Sequence, residues 1–181
     1  TPTVVVLVGG SAITMPWLDA VGAVVMAWYP GQEGGHAVAD VLLGDVSPSG
    51  RLPITFPLEE GQLPLAYNHR PTGRGDDYAD LSGRPLFPFG FGLSYTSFSY
   101  DSLVITPAAI APGGSAEVRL RVRNTGARAG HEVVQLYLRD EVATYARPVL
   151  QLAGFTRVWL EPGEAREVRF RLGSERLAVL D

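Results

Sequence analysis

The carboxylates around residue 33 are the first candidates for acid–base chemistry in this sequence. Glu33 lies in Pro30-Gly-Gln-Glu-Gly-Gly35, directly after the apolar run Ala23–Trp28, and α/β folds build sites in loops that follow buried strands. Carboxylates are also favoured at the start of a helix, where backbone N–H groups are unpaired. The sequence therefore predicts a hydrogen-bonding role for Glu33 at a helix start, and places Asp40 and Asp45 on a helix face and in a turn.

The polar segment Tyr67-Asn-His-Arg-Pro-Thr-Gly-Arg74 is the strongest candidate for a functional surface. It lies in a stretch without periodic apolar residues, and long loops of that kind often serve as lids or binding surfaces. We expect four of its side chains to line the rim of a binding site or to anchor a neighbouring domain: Asn68, His69, Arg70 and Arg74. A purely structural strap between domains is the alternative.

Several kinds of site are excluded by composition. The chain has no Cys, and its 15 basic residues are all Arg, so thiol nucleophiles, Cys-ligated zinc and Schiff-base lysines are absent. His36 has no second ligand at metal spacing, and the group Asp76, Asp77 and Asp80 lacks the other ligands of a calcium loop. We therefore predict neither a metal nor a cofactor. The net charge of −4 argues against a nucleic-acid partner, and no apolar run reaches the ~18 residues of a membrane span.

Residues 1–60 alternate predicted strands with predicted helices. Three apolar runs predict strands: 3–8, 23–28 and 52–56, the last nearer an edge because prolines bracket it. A short helix is predicted after Pro16, and a longer one over residues 35–43 with Gly44 as its C-cap. Continuous β-branched runs suit strands that are buried on both faces. The pattern predicts part of an α/β sandwich domain with a mostly parallel sheet.

The rest of the chain has a different organisation. Residues 61–97 are rich in Gly and Pro and lack periodicity, which predicts a linker and loop region. Residues 98–181 alternate with a period of two, as where Val118, Leu120 and Val122 alternate with arginines. The predicted strands include 116–123, 132–139, 149–160, 168–172 and 177–180. About six short strands separated by turns predict an antiparallel β-sandwich of the immunoglobulin or fibronectin type III kind.

Neither half is expected to be complete. A doubly wound sheet needs about five strands, and a sandwich of this kind about seven. We expect the sandwich to lack its last strand, and the chain to be truncated at both ends or to be one piece of a nicked enzyme. A small natural two-domain protein is the alternative.

Two long motifs carry a family resemblance. The first is Pro30-Gly-Gln-Glu-Gly-Gly35 followed by Ala39-Asp-Val-Leu-Leu-Gly-Asp-Val-Ser-Pro-Ser-Gly-Arg-Leu-Pro-Ile-Thr-Phe-Pro57, and the second is Pro88-Phe-Gly-Phe-Gly-Leu-Ser-Tyr-Thr-Ser-Phe98. In this order they resemble the second and third domains of three-domain β-glucosidases of glycoside hydrolase family 3. Shorter segments resemble the fibronectin-like domain that ends those enzymes: Asn124-Thr-Gly126, Val134-Gln-Leu-Tyr137, Leu152-Ala-Gly-Phe155 and Glu161-Pro-Gly163.

The resemblance implies a parent enzyme that releases terminal non-reducing β-D-glucosyl units with retention, using two carboxyl groups about 5 Å apart. In that family the nucleophile is an Asp in an N-terminal barrel. In many members the acid/base is a Glu in a loop before the strand that resembles residues 3–8. Neither falls in this chain, so no catalytic residue is expected here. The implied partners are the barrel of the same enzyme and, through it, a β-glucoside, and a homodimer is left open.

The aromatic residues have two interpretations. The set Phe87, Phe89, Phe91, Tyr95 and Phe98 is interpreted as a plug at the domain junction, with a sugar-stacking platform as the alternative. Trp17, Trp28 and Trp159 lie in or beside apolar segments and are predicted to have core roles.

Two other functions compete with the leading one. The chain could be a non-catalytic carbohydrate-binding module, or the same scaffold in a family 3 β-xylosidase. A nucleotide-binding domain is rejected, because no Gly-x-Gly-x-x-Gly follows the first strand. The compartment is open, with a periplasmic or secreted location favoured over the cytoplasm.

Overall fold

A computed structural model describes residues 1–72 and 76–177 and divides them into two compact units. Unit 1 consists of residues 1–46, 51–72, 76–92 and 142–149. Unit 2 consists of residues 47–50, 93–141 and 150–177. None of the helices in these described residues has the length and hydropathy needed to cross a bilayer.

Unit 1 is built on a parallel strand pair and a helix. Strands β1 (Val4–Val8) and β2 (Ala23–Trp28) pair in parallel, and helix α1 (Gly34–Leu43) follows. Gly44 caps α1 in the left-handed conformation with φ 86°, which a residue without a Cβ adopts at little cost. The short helix expected after Pro16 is a single 3₁₀ turn, Leu18–Ala20. The predicted mostly parallel sheet is thus represented by one parallel pair in the described residues.

The strand predicted at residues 52–56 is wrong. The segment makes one isolated bridge, Phe56 to Phe87, and is held by single backbone bonds, such as that from the Leu52 N–H to the Phe91 carbonyl (2.8 Å). Pro53 and Pro57 have no N–H to donate. A continuous ladder is therefore interrupted, and the run serves as an extended connection.

The linker is fixed by one buried glutamine rather than by regular structure. Gln62 closes the 3₁₀ turn Glu60–Gln62 in a capping box with Glu59, and its side chain is 1 % exposed. Its Oε1 accepts from the Leu58 N–H (2.6 Å), and its Nε2 donates to the carbonyls of Ser82 (2.8 Å) and Arg84 (3.1 Å). These bonds hold both ends of the loop that carries the candidate segment.

Unit 2 is an antiparallel sandwich. Its strands are β3 (Phe98–Thr106), β4 (Ser115–Asn124), β5 (Gly130–Leu138), β6 (Gln151–Leu160) and β7 (Ala165–Gly173). One sheet has the order β3-β4-β7 and the other pairs β5 with β6. The core between them is formed by Val122, Val134, Leu160 and Val168. Of the strand predicted at 177–180, residues 178–180 lie outside the described residues, and Ser174–Arg176 forms a 3₁₀ turn.

Polar side chains tie the sandwich together from inside. Asn124, which has no exposed surface, donates to the carbonyls of Arg128 (2.7 Å) and Leu160 (3.0 Å). Its Oδ1 accepts from Thr96 Oγ1 (2.7 Å) and from the Gly126 N–H (3.0 Å). The amide thus satisfies four hydrogen bonds, as a buried polar group must.

The core role predicted for Trp159 is wrong. Its neighbour Leu160 is fully buried, whereas Trp159 is 43 % exposed. Successive side chains of a strand point to opposite faces, so only one of the two can enter the core. Trp28 does pack inward, edge-on to Phe56 at 6.2 Å between ring centroids.

Candidate functional site

The candidate segment begins at an aromatic anchor. The ring of Tyr67 stacks on Phe89 with centroids 4.1 Å apart and planes 10° from parallel. A second stack joins Phe87 to Phe91 at 5.0 Å. Both stacks lie inside unit 1, whereas Phe98 packs against the sandwich core of unit 2. Phe89, through its stack on Tyr67, thus holds the loop that carries the segment, and the plug at the domain junction stays a prediction.

His69 is held by backbone and side-chain bonds. Its N–H donates to the Ala66 carbonyl (3.2 Å), and its carbonyl accepts from the Val149 N–H (2.9 Å). Its Nδ1 lies 2.9 Å from the Arg70 carbonyl, which requires that nitrogen to carry the proton. Its Nε2 then faces Asp76 Oδ2 at 4.0 Å. Asn68 and Arg70 on either side are exposed, and Arg74 lies outside the described residues.

A second segment, which the sequence did not indicate, also contributes to this site. Residues 142–149, which connect β5 to β6, belong to unit 1, and Val149 meets His69 through the bond described above. Val142 and Tyr145 of this loop are exposed. The available signal was its length, because β-hairpin loops usually have two to five residues and this connection runs from Arg139 to Leu150.

The acidic residues after the segment close a loop. Asp77 Oδ1 accepts from the Gly83 N–H (2.8 Å) and from Ser82 Oγ (3.2 Å). These two hydrogen bonds, the backbone one first, lower the pKa of Asp77 below its ordinary value. In the part of the chain that is described, no group of three or more acidic or histidine side chains is arranged to hold a metal ion.

Glu33 occupies the N-cap position of α1 without making a side-chain cap bond. Its Oε2 lies 2.9 Å from Nδ1 of His36, and the two side chains are largely exposed to water. Catalytic acids of retaining glycosidases work beside a second carboxyl group about 5 Å away. A solvated carboxylate paired with an imidazole instead suits a helix-start role.

Two family models match separate parts of the chain. The Glycosyl hydrolase family 3 C-terminal domain matches residues 1–95, and the Fibronectin type III-like domain matches residues 132–181. A beta-xylosidase from Formosa agariphila is 41 % identical over 99 % of this chain and 25 % of its own length. A periplasmic beta-glucosidase from Salmonella typhimurium is 41 % identical over 97 % of this chain and 24 % of its own length.

Solved structures give the same picture. A β-glucosidase from Erythrobacter marinus superposes with a TM-score of 0.91 at 47 % identity, covering 95 % of this chain and 23 % of that chain. The chain thus spans about a quarter of the length of the relatives it matches. From the two domain matches, and from the order in which the sequence motifs occur, this chain belongs to glycoside hydrolase family 3.

Proposed function

We propose that this chain is the C-terminal scaffold of a retaining β-glucosidase that hydrolyses terminal non-reducing β-D-glucosyl units. The observation that carries the proposal is family membership together with coverage of only a quarter of each relative. The two carboxyl groups that such an enzyme needs about 5 Å apart would then lie in the remaining three quarters, the nucleophile in an N-terminal barrel and the acid/base in a loop that precedes residues 3–8.

The proposal includes a domain organisation. Residues 1–60 would be the C-terminal part of a mostly parallel α/β sandwich domain, 61–97 its linker and loop region, and 98–181 the fibronectin type III-like sandwich lacking its last strand. The parallel pairing of β1 with β2 supports the parallel sheet. Parallel strands rarely form a sheet without covering layers on both faces, so the pair is expected to belong to a larger domain. A periplasmic or secreted location is part of the proposal, and the name of the Salmonella relative supports it.

An aryl β-glucoside assay tests the scaffold role. The 181-residue chain alone should give no turnover above background, whereas the full-length parent enzyme should be active. Clear turnover by the chain alone would overturn the claim that both carboxylates lie elsewhere. An aryl β-xyloside run in parallel tests the alternative of a β-xylosidase scaffold, which the beta-glucosidase names of the Salmonella, Bacteroides and Acetivibrio relatives do not favour.

We further propose that four side chains lie at the rim of an active site in the parent enzyme, either that of the same subunit or that of a partner subunit. They are Asn68, His69, Arg70 and Arg74. Support comes from exposed Asn68 and Arg70 on a segment fixed by the Tyr67–Phe89 stack and the Val149 bond. The adjoining loop, residues 142–149, would widen this rim.

Substitution of the two arginines tests the rim. Arg70→Ala and Arg74→Ala in the full-length enzyme should each raise KM about three- to tenfold, the equivalent of one hydrogen bond, with kcat less affected. Arg169→Ala on β7 is the matched control and should leave both constants unchanged. If both rim variants retain wild-type kinetics and assembly, the segment is a structural strap.

A further inference from the structure

The surface of the β5–β6 sheet that points away from the sandwich core carries an uncovered aromatic row. On β6 the residues that point this way alternate with core residues, and the register pairs them with residues of β5. We call this surface the outer face, and it comprises Phe155, Arg157 and Trp159 with their partners Gln135, Val133 and His131.

Two large aromatic side chains of the outer face stay exposed in the folded sandwich. Phe155 is 68 % and Trp159 43 % exposed, whereas Leu160 and Val134 on the core side are almost fully buried. Aromatic rings together on one sheet face form a patch of the kind that marks a contact surface. A scattered single apolar residue would need no such explanation.

The polar groups around this patch are already in use within the sandwich. Arg157 Nη2 donates to Ser49 Oγ (3.0 Å), and Trp159 Nε1 donates to Glu161 Oε1 (2.9 Å). The Trp159 ring meets His131 edge-on, with centroids 4.7 Å apart and planes at 69°. Desolvation, and then the charge of Arg157, lower the pKa of His131, which favours the neutral imidazole.

These contacts decide which class of ligand the outer face suits. A sugar-binding platform combines an open ring face with hydrogen-bonding groups that converge on the ligand. Here Nη2 of the arginine and the indole N–H are bonded to Ser49 and Glu161 of the same unit, and the most exposed group is a phenyl ring with no hydrogen-bonding atom. An apolar protein surface suits this arrangement better than a carbohydrate does.

The identity of that protein surface follows from chain length. The relatives extend to about four times the span of this chain, so most of each relative is tethered to the equivalent sandwich. A tethered surface acts at an effective concentration near millimolar, far above that of a second copy in solution. We propose that the outer face docks against a part of the same full-length polypeptide that lies outside this chain.

The docking surface rests on the proposed function only in assuming the longer parent. Because this chain has no Cys, an introduced thiol is the only one within it, and peptide mapping separates its labelling from that of any cysteine elsewhere in the parent. Phe155→Cys and Leu103→Cys are the informative pair. Leu103, on the other sheet, is 66 % exposed and matches Phe155. In the native full-length enzyme, Phe155→Cys should react with a maleimide at least about tenfold more slowly than when unfolded in urea, since a covered thiol reacts only through local opening. Leu103→Cys should react at close to its unfolded rate.

The other occupants of the face give different results. If protection of the Phe155→Cys thiol disappears on hundredfold dilution, a second copy of the protein covers the face. If protection arises only when a soluble β-glucan is added, a carbohydrate covers it. Either outcome, or native labelling of Phe155→Cys as fast as in urea, would overturn the proposal. Hydroxyl-radical footprinting of Phe155 in the unsubstituted enzyme repeats the comparison if Phe155→Cys fails to fold. No readout depends on activity, so an inactive parent leaves the labelling result intact.

Discussion

At the scale of single residues, Asn124 connects more of the sandwich than any turn role requires. The sequence presents it in an Asn-Thr-Gly turn, and the Gly126 N–H does bond to its Oδ1. The same amide also reaches the carbonyls of Arg128 and Leu160 and the hydroxyl of Thr96. One buried side chain therefore joins the end of β4 to the end of β6 and to the chain entering β3.

Replacement of this amide by an isosteric carboxyl group tests its importance. Asn124→Asp removes both N–H donors and turns a charged oxygen towards the Arg128 and Leu160 carbonyls in a site with no exposed surface. We expect a loss of about 2–4 kcal/mol in the free energy of unfolding, because buried unsatisfied groups keep their full desolvation cost. Urea unfolding measures it.

The exposed Asn68 provides the control for that experiment. Asn68→Asp makes the same chemical change where water can solvate the charge, and should change the unfolding free energy by less than about 0.5 kcal/mol. Equal losses for the two variants would show that the four bonds of Asn124 contribute nothing beyond the change in charge.

Residue-level prediction from the sequence was limited by contacts between distant positions. The composition of Tyr67–Arg74 identified a polar segment, because that feature is local. The bond from the Val149 N–H to the His69 carbonyl joins segments far apart in the chain, and no local pattern reveals it. The core role of Trp159 was wrong for a simpler reason. Its neighbours on both sides are apolar, so the sequence does not show which of the alternating side chains of β6 face the core.

At the scale of elements, the start of α1 depends on two adjacent glycines with different surroundings. A Cβ on Gly34 would lie 2.5 Å from Cγ and 2.8 Å from Cβ of Pro30, whereas a Cβ on Gly35 would meet nothing within 4 Å. The proline ring is rigid and cannot rotate away. Close packing therefore requires glycine at the first position and not at the second.

Alanine substitution should separate the two glycines. Gly34→Ala should lower the unfolding free energy by roughly 1–3 kcal/mol through overpacking against Pro30. Gly35→Ala should raise it by up to about 1 kcal/mol, because alanine is the better helix former. Thermal unfolding followed by circular dichroism measures both, and a Gly34→Ala variant as stable as Gly35→Ala would contradict the packing argument.

Elements were predicted well where periodicity was strong and poorly where proline intervened. The limits of β2 agree with the predicted run, and α1 begins one residue before its predicted start. Residues 52–56 have the composition of a strand, but Pro53 within the segment and Pro57 directly after it lack N–H donors, and the pairing is reduced to one bridge. Propensity describes side chains, whereas a ladder depends on backbone donors.

At the scale of the whole molecule, unit 1 exposes apolar side chains that a parallel α/β domain normally covers. Val8 at the end of β1, Tyr29 after β2 and Leu43 at the end of α1 are 64 %, 78 % and 79 % exposed. Parallel strands are almost always covered on both faces. In the proposed parent enzyme, the part of the polypeptide outside this chain would supply that cover.

The isolated 181-residue chain should therefore bind a hydrophobic dye that the full-length parent does not. Exposed apolar surface enhances the fluorescence of anilinonaphthalene sulfonate, and we expect several-fold more enhancement per mole from the chain than from the parent, with self-association on sedimentation. Leu43→Ser and Val8→Ser together should reduce dye binding by the chain, because they remove two of the most exposed side chains, and should destabilise the parent, where the same positions would be buried. A monomeric chain that binds no more dye than the parent would mean that these side chains need no cover, and the case for a larger α/β domain would then rest on sequence similarity alone.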